Sequence, residues 1–349
     1  MNRRRFLIGA GLTGLSTLAG CGSIQSQSTR APPLVENRPA ATYLPTHREG
    51  MAMIGTGEAG DYMVGLTYSF PHRFWTVTGQ NAEQAAIQDG DSVHLMATVW
   101  DPETNAVLPL SAGVSITITQ DGETVAEKPP WPMISQNMGF HYGDNYQLAG
   151  DGLYEVTVRV QAMTERRLGA LSDRFGSAGE MTLQFDFAQS ALEQLDYEEF
   201  PDRQGSREAL GLMNMEMLPT SQVPAAEDLP GDLLGTASGS DEVYAATWLA
   251  DADFLAEGES YLAVSVRTPY NRVPLAMMSL DGTVEADGET VFEDALSAAI
   301  HPDIGYHYGA VVESTTDSPS VTVETVAPPQ VSRHEGYETA FLGTPTVSF

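Results

Sequence analysis

Histidine and methionine side chains carry most of the chemistry that this sequence offers. Seven histidines occur in a chain with only 17 lysines and arginines. His94 and Met96 lie two residues apart in a run typical of a β-strand, so both side chains point to the same face. After a Pro-Pro-Trp-Pro turn, a loop carries Met133, Met138 and His141, and it could bring a sulfur atom and an imidazole to one point.

A site built from imidazole and thioether groups favours copper. Iron or manganese would require additional carboxylates, for which Glu49, Glu58 and Asp144 are candidates. The alternative is that His94 and His141 are hydrogen-bonded core residues and that the methionines fill gaps. The spacing alone does not decide between these interpretations.

Two other histidine-containing groups stand out. His301, Asp303 and His307 lie close together in the sequence and form a possible second metal site. Residues 71–75, Pro-His-Arg-Phe-Trp, combine the titratable ring of His72 with two aromatic side chains. We interpret the second group as a buried aromatic corner, with a docking or substrate-lining role as the alternative.

Short β-strands must position these residues. Several runs are rich in Val, Thr and Tyr and alternate apolar with polar residues, as half-buried strands do. They span Tyr62–Phe70, Ser92–Trp100, Gly113–Thr119, Tyr154–Val160 and Met181–Phe187. Asp121-Gly122 carries the signal of a tight hairpin turn. The pattern predicts an all-β fold of antiparallel β-sandwich type.

Helical periodicity is confined to the middle of the chain. It covers Ala191–Phe200 and Ser206–Leu218, and it predicts a partly helical, acidic linker over residues 191–234. Met213, Met215 and Met217 lie two apart in this region and would suit a soft-metal tract, but filling of the core is the commoner role of methionine.

The part of the chain after this linker repeats the part before it. Gly139-Phe-His-Tyr-Gly143 is matched by Gly305-Tyr-His-Tyr-Gly309, and an Asp-Gly-Glu-Thr-Val run precedes each motif. Landmarks in the same order indicate a tandem duplication, and we expect two similarly folded domains that pack as an internal pseudo-dimer. The domains are placed at residues 41–190 and 235–349, the second being a degenerate copy.

The N-terminus has the features of an export signal. Arg3-Arg4-Arg5 precedes the short apolar run Ile8–Ala19, as in twin-arginine signals. The following Leu-Ala-Gly-Cys resembles a lipobox, which makes Cys21 the lipid attachment site. We therefore predict a signal over residues 1–21, a flexible tether over 22–40, and a location on the outer face of the cell membrane.

The charge of the chain excludes one large class of partner. Acidic residues outnumber basic ones 47 to 17, and the formal charge of −30 would repel nucleic acid. Lys128 is the only lysine. A lysine-poor, acidic composition is typical of halophiles, in which concentrated salt screens the repulsion, and we infer a haloarchaeal source.

Taken together, these motifs resemble the periplasmic iron-transport lipoproteins that accompany bacterial high-affinity iron-uptake permeases. The resemblance runs from about Gly50 to Phe187 and recurs over Ile300–Phe349. It rests on Val93-His94, Pro132-Met133, His141-Tyr-Gly-Asp-Asn145, Gly150-Asp-Gly-Leu-Tyr154, Pro328-Pro329 and Arg333-His334. It implies immunoglobulin-like sandwiches that dimerise and bind copper, with iron as the proposed cargo.

The resemblance also implies individual ligands. His94, Met133 and His141 match three ligands of the family. Met96 stands where the family has a glutamate, and Asn137 lies near the position of an aspartate, so two hard oxygen ligands are replaced.

The two copies are complementary in the remaining ligands. The family's last ligand is the histidine of an Arg-His pair, whereas the first copy reads Arg166-Arg167 and only the second keeps Arg333-His334. The second copy in turn has Tyr261 and Ala299 at two ligand positions. We therefore predict one composite site at the pseudo-dimer interface, formed by His94, Met96, Met133 and His141 from the first domain and His334 from the second.

The sequence contains no catalytic signature, and lipidation would consume Cys21, the only cysteine. We expect a binding protein and not an enzyme. The predicted function is a lipid-anchored component of an iron or copper uptake system that binds one of these ions and works with a membrane permease. The alternative is a structural or interaction lipoprotein whose metal site has decayed.

Overall fold

The computed structural model describes residues 32–314, 316 and 319–349, and nearly all of its regular structure is β-strand. All five strands named from the sequence are present. The first half of the chain contains β1 (His47–Glu49), β2 (Ala52–Ala59), β3 (Tyr62–Ser69), β4 (Phe74–Thr78), β5 (Asn81–Ala85), β6 (Val93–Trp100), β7 (Val114–Gln120), β8 (Glu123–Lys128), β9 (Trp131–Ser135), β10 (Gly139–Tyr146), β11 (Gly152–Val160), β12 (Arg166–Arg167), β13 (Gly179–Phe187) and β14 (Tyr197–Glu199).

Two sheets of the first half pack face to face. Strands β2, β3, β6, β10 and β9 are neighbours in that order in one sheet, and β13, β11, β7 and β8 form the other. Alternate residues of β11 are buried, as expected for a sheet with one face on the core. The rings of Tyr68 and Phe185 meet across the two sheets, with their centroids 4.9 Å apart.

The second half has its own set of strands. They are β15 (Asp232–Ser238), β16 (Val243–Leu249), β17 (Ser260–Arg267), β18 (Ser279–Ala286), β19 (Glu289–His301), β20 (Gly305–Val312), β21 (Ser320–Ala327), β22 (Ser332–Arg333) and β23 (Thr346–Ser348). Neighbouring strands follow the order β15, β16, β17, β20, β19 and then β18, β21, β23. The long strand β19 pairs with β20 through one end and with β18 through the other. In the first half two separate strands take these places, since β9 pairs with β10 and β8 pairs with β7. The strand order of the two halves is otherwise the same.

Corresponding hairpin turns also agree. Asp121 and Gly122 have φ angles of 52° and 81° between β7 and β8, and Asp287 and Gly288 have 54° and 82° between β18 and β19. Two consecutive positive φ angles are typical of the tight hairpin turn that Asp-Gly favours. The prediction of all-β sandwich structure is confirmed, whereas the immunoglobulin-like topology stays a prediction.

Each half contributes one short strand to the other half. Strand β22 pairs in parallel with β9, so that Ser332 lies opposite Met133, and it also pairs with β4. In the reverse direction β12 pairs in parallel with β19, so that Arg166 lies opposite Ala299. These exchanges bring the segment after β22 to the residues that β9 and β10 carry.

The segment between the halves is less helical than its periodicity predicts. It contains the four-residue helix α1 (Gln189–Leu192) and a 3-10 turn at Ala226–Asp228. The helix predicted over Ser206–Leu218 is wrong. Backbone donors there bond to the first half instead, as when the Met213 N–H donates to the Asn137 carbonyl at 2.7 Å.

The predicted signal, Cys21 and residues 22–31 of the tether lie outside the described residues. Residues 32–40 form no helix or strand, and Arg38 makes an ion pair with Glu338 at 2.8 Å. Within the described part of the chain, no helix is long and apolar enough to cross a membrane.

Candidate metal centre

The four ligand candidates of the first half lie on adjacent strands, and three of them are brought together by strand register. His94 is on β6, with Asn145 of β10 opposite it, and His141 is on β10, with Met133 of β9 opposite it. His94, His141 and Met133 are all buried. Period-two alternation and strand register therefore bring one thioether and two imidazoles to the same region of one sheet.

Gly143 provides the space in which these groups meet. A Cβ atom at this position would lie 2.7 Å from His94 Nε2, 3.2 Å from Met133 Sδ and 3.3 Å from His141 Cδ2. Any larger residue would push into all three side chains. The glycine thus leaves a cradle, about the size of one small atom, between two imidazoles and a thioether.

His334 reaches the same region from the second half. Its N–H donates to the Ile134 carbonyl at 3.1 Å, immediately after β22. Its ring centroid lies 5.1 Å from that of His141 and 5.5 Å from that of His94. The neighbouring Arg333 is fully buried and donates to the carbonyls of residues 329, 340 and 341, which holds this segment in place.

His72 is a fourth imidazole in the cluster, and sequence reasoning missed it. Its ring centroid lies 4.0 Å from that of His94 and 4.6 Å from that of His334. The ligand atoms of His72, His94 and His334 all lie within 4.8 Å of one another. Nitrogens bound to one ion at about 2 Å lie about 4 Å or less apart, so this group is close to ligating geometry. The interpretation of residues 71–75 as an aromatic corner therefore overlooked an imidazole that belongs to the cluster.

Hydrogen bonds orient the two buried imidazoles of the first half. His94 Nδ1 donates to the Asn145 side-chain oxygen at 2.9 Å, and His141 Nδ1 donates to the Gly139 carbonyl at 3.1 Å. In this arrangement Nδ1 carries the proton and Nε2 keeps its lone pair. Metal-binding histidines are commonly fixed by such a partner on the other nitrogen.

The carboxylate of Glu49 orients the His72 ring through a hydrogen bond to Nδ1. Glu49 Oε2 lies 3.2 Å from His72 Nδ1, and Glu49 Oε1 lies 3.5 Å from His47 Nε2. Burial alone would raise the pKa of Glu49, but the hydrogen bonds and charges of His47 and His72 lower it to about 2. Glu49 is therefore ionised and orients His72.

Four imidazole nitrogens of the cluster lack a partner. The Nε2 atoms of His72, His94, His141 and His334 are buried and make no hydrogen bond within the described part of the chain. A buried polar group without a partner costs about 1–3 kcal/mol. A metal ion bound among His72, His94 and His334, whose ligand atoms lie within 4.8 Å of one another, would accept the lone pairs of three of these nitrogens, and His141 lies beside them at the Gly143 cradle.

The imidazoles are also in the protonation state that a metal requires. Burial lowers the pKa of His141 to about 4, with a small opposing contribution from the Gly139 carbonyl and a further lowering by His72. Burial is the main cause that lowers the pKa of His94 and His334 well below the usual value. Neutral imidazoles offer their nitrogen lone pairs without first releasing a proton.

A cavity of about 90 Å³ connects the cluster to the surface. His72 and His334 line it together with Met96 and Glu49, whereas His94 and His141 lie behind it. Met96 is thus placed at the cavity wall, as its position on the His94 face of β6 predicts.

The three carboxylates suggested as iron ligands do not point their oxygen atoms at the point where the imidazoles meet. Asp144 forms an ion pair with Lys128 at 2.9 Å, and Glu58 is an exposed residue of β2. Glu49 bonds to His72 Nδ1 and therefore lies behind an imidazole. The donors that converge are nitrogen and sulfur.

The partner of His94 provides a first test. Replacing Asn145 by alanine is expected to weaken copper affinity about 10- to 100-fold, because His94 loses the acceptor that fixes its tautomer and ring orientation. The variant Asn145→Asp keeps an oxygen acceptor for His94 Nδ1, and its affinity should stay closer to that of the wild type. Competition titration with a chelator measures both. Equal affinities for Asn145→Ala and the wild type would contradict an orienting role.

The equivalent position in the second half is closed. The Tyr261 hydroxyl lies 3.1 Å from His307 Nε2 and within 2.3 Å of where a Cβ on Gly309 would be. The Leu168 N–H donates to the Ile300 carbonyl, as that of His334 does to Ile134, so a leucine occupies the place of the fourth ligand. A hydroxyl and apolar side chains fill this copy of the cradle.

The possible second site at His301, Asp303 and His307 does not assemble. His301 Nδ1 accepts a hydrogen bond from the Asp303 backbone at 3.1 Å, and its ring packs near Phe254. His307 is held by Tyr261 on one nitrogen and by the Gly305 carbonyl on the other. Among the described residues, the cluster at His72 is the one group of three or more such ligands with metal-binding spacing.

Parts of this chain are similar to known protein families and solved structures. Residues 227–349 match a family model described as a domain of unknown function, DUF7350. No curated protein matches this chain. The copper-bound structure of a variant of FetP from uropathogenic Escherichia coli strain F11 is 19% identical, with a TM-score of 0.32, and covers 40% of this chain and 92% of its own. FetP as isolated is 18% identical, with a TM-score of 0.29, and covers 40% of this chain and 96% of its own.

A second family model covers two of the strands that contribute to the cluster, β9 and β10. It is described as Fe2+ transport protein, and it matches residues 106–190, which include Met133 and His141. The resemblance found in the sequence is confirmed by this match. Residues 106–190 are thus similar to the Fe2+ transport protein family.

Proposed function

We propose that this chain is the metal-binding component of an extracytoplasmic metal-uptake system and that its histidine cluster binds one copper ion. The observation that carries the proposal is the set of four buried imidazole Nε2 atoms without partners. The cradle at Gly143, where Met133 Sδ adds a thioether, supports it further. The family match over residues 106–190 supports a role in metal transport.

The donor set favours copper over iron. Imidazole and thioether are the ligands that suit copper, whereas iron and manganese prefer oxygen donors. Met133 and Met96 supply sulfur at positions around the cluster, while Asp144 is bound to Lys128. The family match supports iron as a transported cargo, and iron would need a site that supplies oxygen ligands.

We further propose that the chain is a fused pseudo-dimer with domains at residues 41–190 and 235–349. The shared strand order and the reciprocal pairing of β22 with β9 and of β12 with β19 support this proposal. Attachment to membrane lipid through Cys21 and export by the twin-arginine route complete the proposal, and both rest on sequence motifs.

Elemental analysis tests the proposed function. Full-length protein without a histidine tag, purified in high salt and equilibrated separately with Cu²⁺ and Fe²⁺, should retain one copper per chain and little iron. The variants His94→Ala and His141→Ala should each lose the copper, since either change removes a ligand at the Gly143 cradle.

The alternative function has a distinct signature in the same experiment. A structural lipoprotein with a decayed site would contain no metal and would ignore added Cu²⁺. Such a result, obtained with protein that is folded by circular dichroism, would overturn the proposal.

A further inference from the structure

The segment of residues 210–221, here called the methionine strap, lies across the first half next to the histidine cluster. Three hydrogen bonds attach it to the first half, and the Asn271 side chain donates a further one to the Leu210 carbonyl at 2.7 Å. The Leu210 N–H donates to Gln136 Oε1 at 2.8 Å, the Met213 N–H to the residue 137 carbonyl at 2.7 Å, and Ser221 Oγ accepts from the Phe140 N–H at 2.9 Å. All three partners belong to the turn between β9 and β10 or its flanks. The strap is therefore fixed relative to the strands that carry Met133 and His141.

A small cavity lies under the strap, and four methionines line it. Its volume is about 10 Å³, roughly the space of one water-sized particle. The lining methionines are Met51, Met138, Met213 and Met215. Met217, the next residue in the period-two series, does not line the cavity and is 53% exposed.

Two unpartnered polar atoms also belong to this cavity. Asn137 Oδ1 and Thr98 Oγ1 are buried, and neither has a hydrogen-bond partner within the described part of the chain. Methionine that only fills a gap in the core requires no polar neighbours. Unsatisfied oxygen atoms in a cavity lined by four methionines instead indicate a small polar or charged occupant.

The cavity adjoins the histidine cluster. Met51 and Asn137 line both this cavity and the larger one that exposes His72 and His334. No carboxylate lines the smaller cavity among the described residues, so its donors are neutral. Neutral, soft thioethers select Cu(I) over zinc, calcium or magnesium.

We propose that the cavity under the methionine strap is a separate Cu(I) site, formed by the thioethers of Met51, Met138, Met213 and Met215. It is a holding site one residue layer away from the histidine cluster. Its role beside that cluster rests on the proposed function, but binding of Cu(I) to the thioethers does not.

Methionine methyl NMR tests this proposal in the full chain. The protein is labelled with [13C-methyl]methionine and carries His94→Ala and His141→Ala, so that the histidine cluster is disabled. One equivalent of Cu(I), added anaerobically in concentrated sulfate without chloride, should shift the methyl signals of Met51, Met138, Met213 and Met215. The methyl signal of Met217 should not move, and Zn²⁺ should shift none of them.

Affinity measurements supply the matched control. In the same background, Met213→Leu with Met215→Leu should weaken Cu(I) binding more than about 10-fold, since two ligands are lost. Met217→Leu changes an exposed methionine of the same segment and should leave the affinity unchanged. Leucine has nearly the volume of methionine, so the fold should tolerate all three changes.

The outcomes separate this proposal from the proposed function. Absence of methyl shifts with Cu(I), or equal effects of Met217→Leu and the double variant, would show that these methionines only fill the core. Copper retained by the wild type would leave the proposed function standing in that case. Methyl shifts in a protein whose wild type binds no Cu²⁺ would support the thioether site and overturn the histidine site.

Discussion

Replacing His334 by alanine is expected to weaken copper affinity by more than about 100-fold, although this residue lies some 190 residues after His141 in the sequence. The reason is that β22 carries His334 into the first half, where its ring lies 4.6 Å from that of His72 and 5.1 Å from that of His141. Loss of a group that only orients a ligand costs about 10- to 100-fold in affinity, and loss of a ligand should cost more. Chelator competition measures the change.

The control for this variant comes from the same half of the chain. His301→Ala also removes an imidazole, but this ring packs near Phe254 and bonds to the backbone of Asp303. Its copper affinity should equal that of the wild type. If His334→Ala also bound copper as the wild type does, a composite site would be untenable, and the first half alone would have to supply every ligand.

Much of this site could be predicted from residue spacing. The separation of His94 and Met96 by two residues places both on one face of a strand, and the structure has them in β6 with Met96 at the cavity wall. Residue spacing within one strand does not predict which strands are neighbours in the sheet. The neighbourhood of Met133 and His141 became predictable only because a short turn joins β9 to β10.

His72 was missed for a physical reason. It lies in the connection between β3 and β4, where no periodicity operates and where the second half has no counterpart. One signal was available, because Ser69 at the end of β3 lies opposite His94 in the sheet. The residues directly after β3 must therefore pass close to His94, but this inference requires the strand register.

Periodicity also predicted an element that the structure does not have, the helix over Ser206–Leu218. Apolar residues with near-helical spacing predicted a helix, yet tertiary partners satisfy backbone donors of this segment from Leu210 to Met213. Helix formation in proteins depends on packing of one face, and short isolated helices are marginal in water. A segment pinned to another sheet at several points gains more from those contacts.

Three substitutions in the second half should create a second histidine site for Cu²⁺. Strand register equates Tyr261 with His94, Ala299 with Met133 and Leu168 with His334, while His307 already corresponds to His141. When titrated with Cu²⁺, the triple variant Tyr261→His, Ala299→Met, Leu168→His should therefore bind two ions per chain where the wild type binds one. Its second ion should be held less tightly, because the second half has no equivalent of His72.

The packing of this region makes the triple variant feasible. Histidine is smaller than tyrosine, and the space released at Tyr261 lies beside Gly309, where a metal or the added methionine side chain can enter. Changes that keep the total volume of a core are tolerated best. Replacing Leu168, which is buried, by a polar imidazole costs stability unless metal is bound, so added copper should raise the melting temperature of this variant more than that of the wild type.

Two control variants distinguish the effect of the added metal ligands from the effect of removing the Tyr261 hydroxyl from the cavity. Tyr261→Phe removes the hydroxyl that bonds to His307 Nε2 but adds no ligand, and it should still bind one copper ion. Adding His307→Ala to the triple variant removes the imidazole on which the new site depends, and the stoichiometry should return to one. A folded triple variant that binds one copper ion would mean that the two halves share strand order without sharing the geometry of the cradle at Gly143 and Gly309.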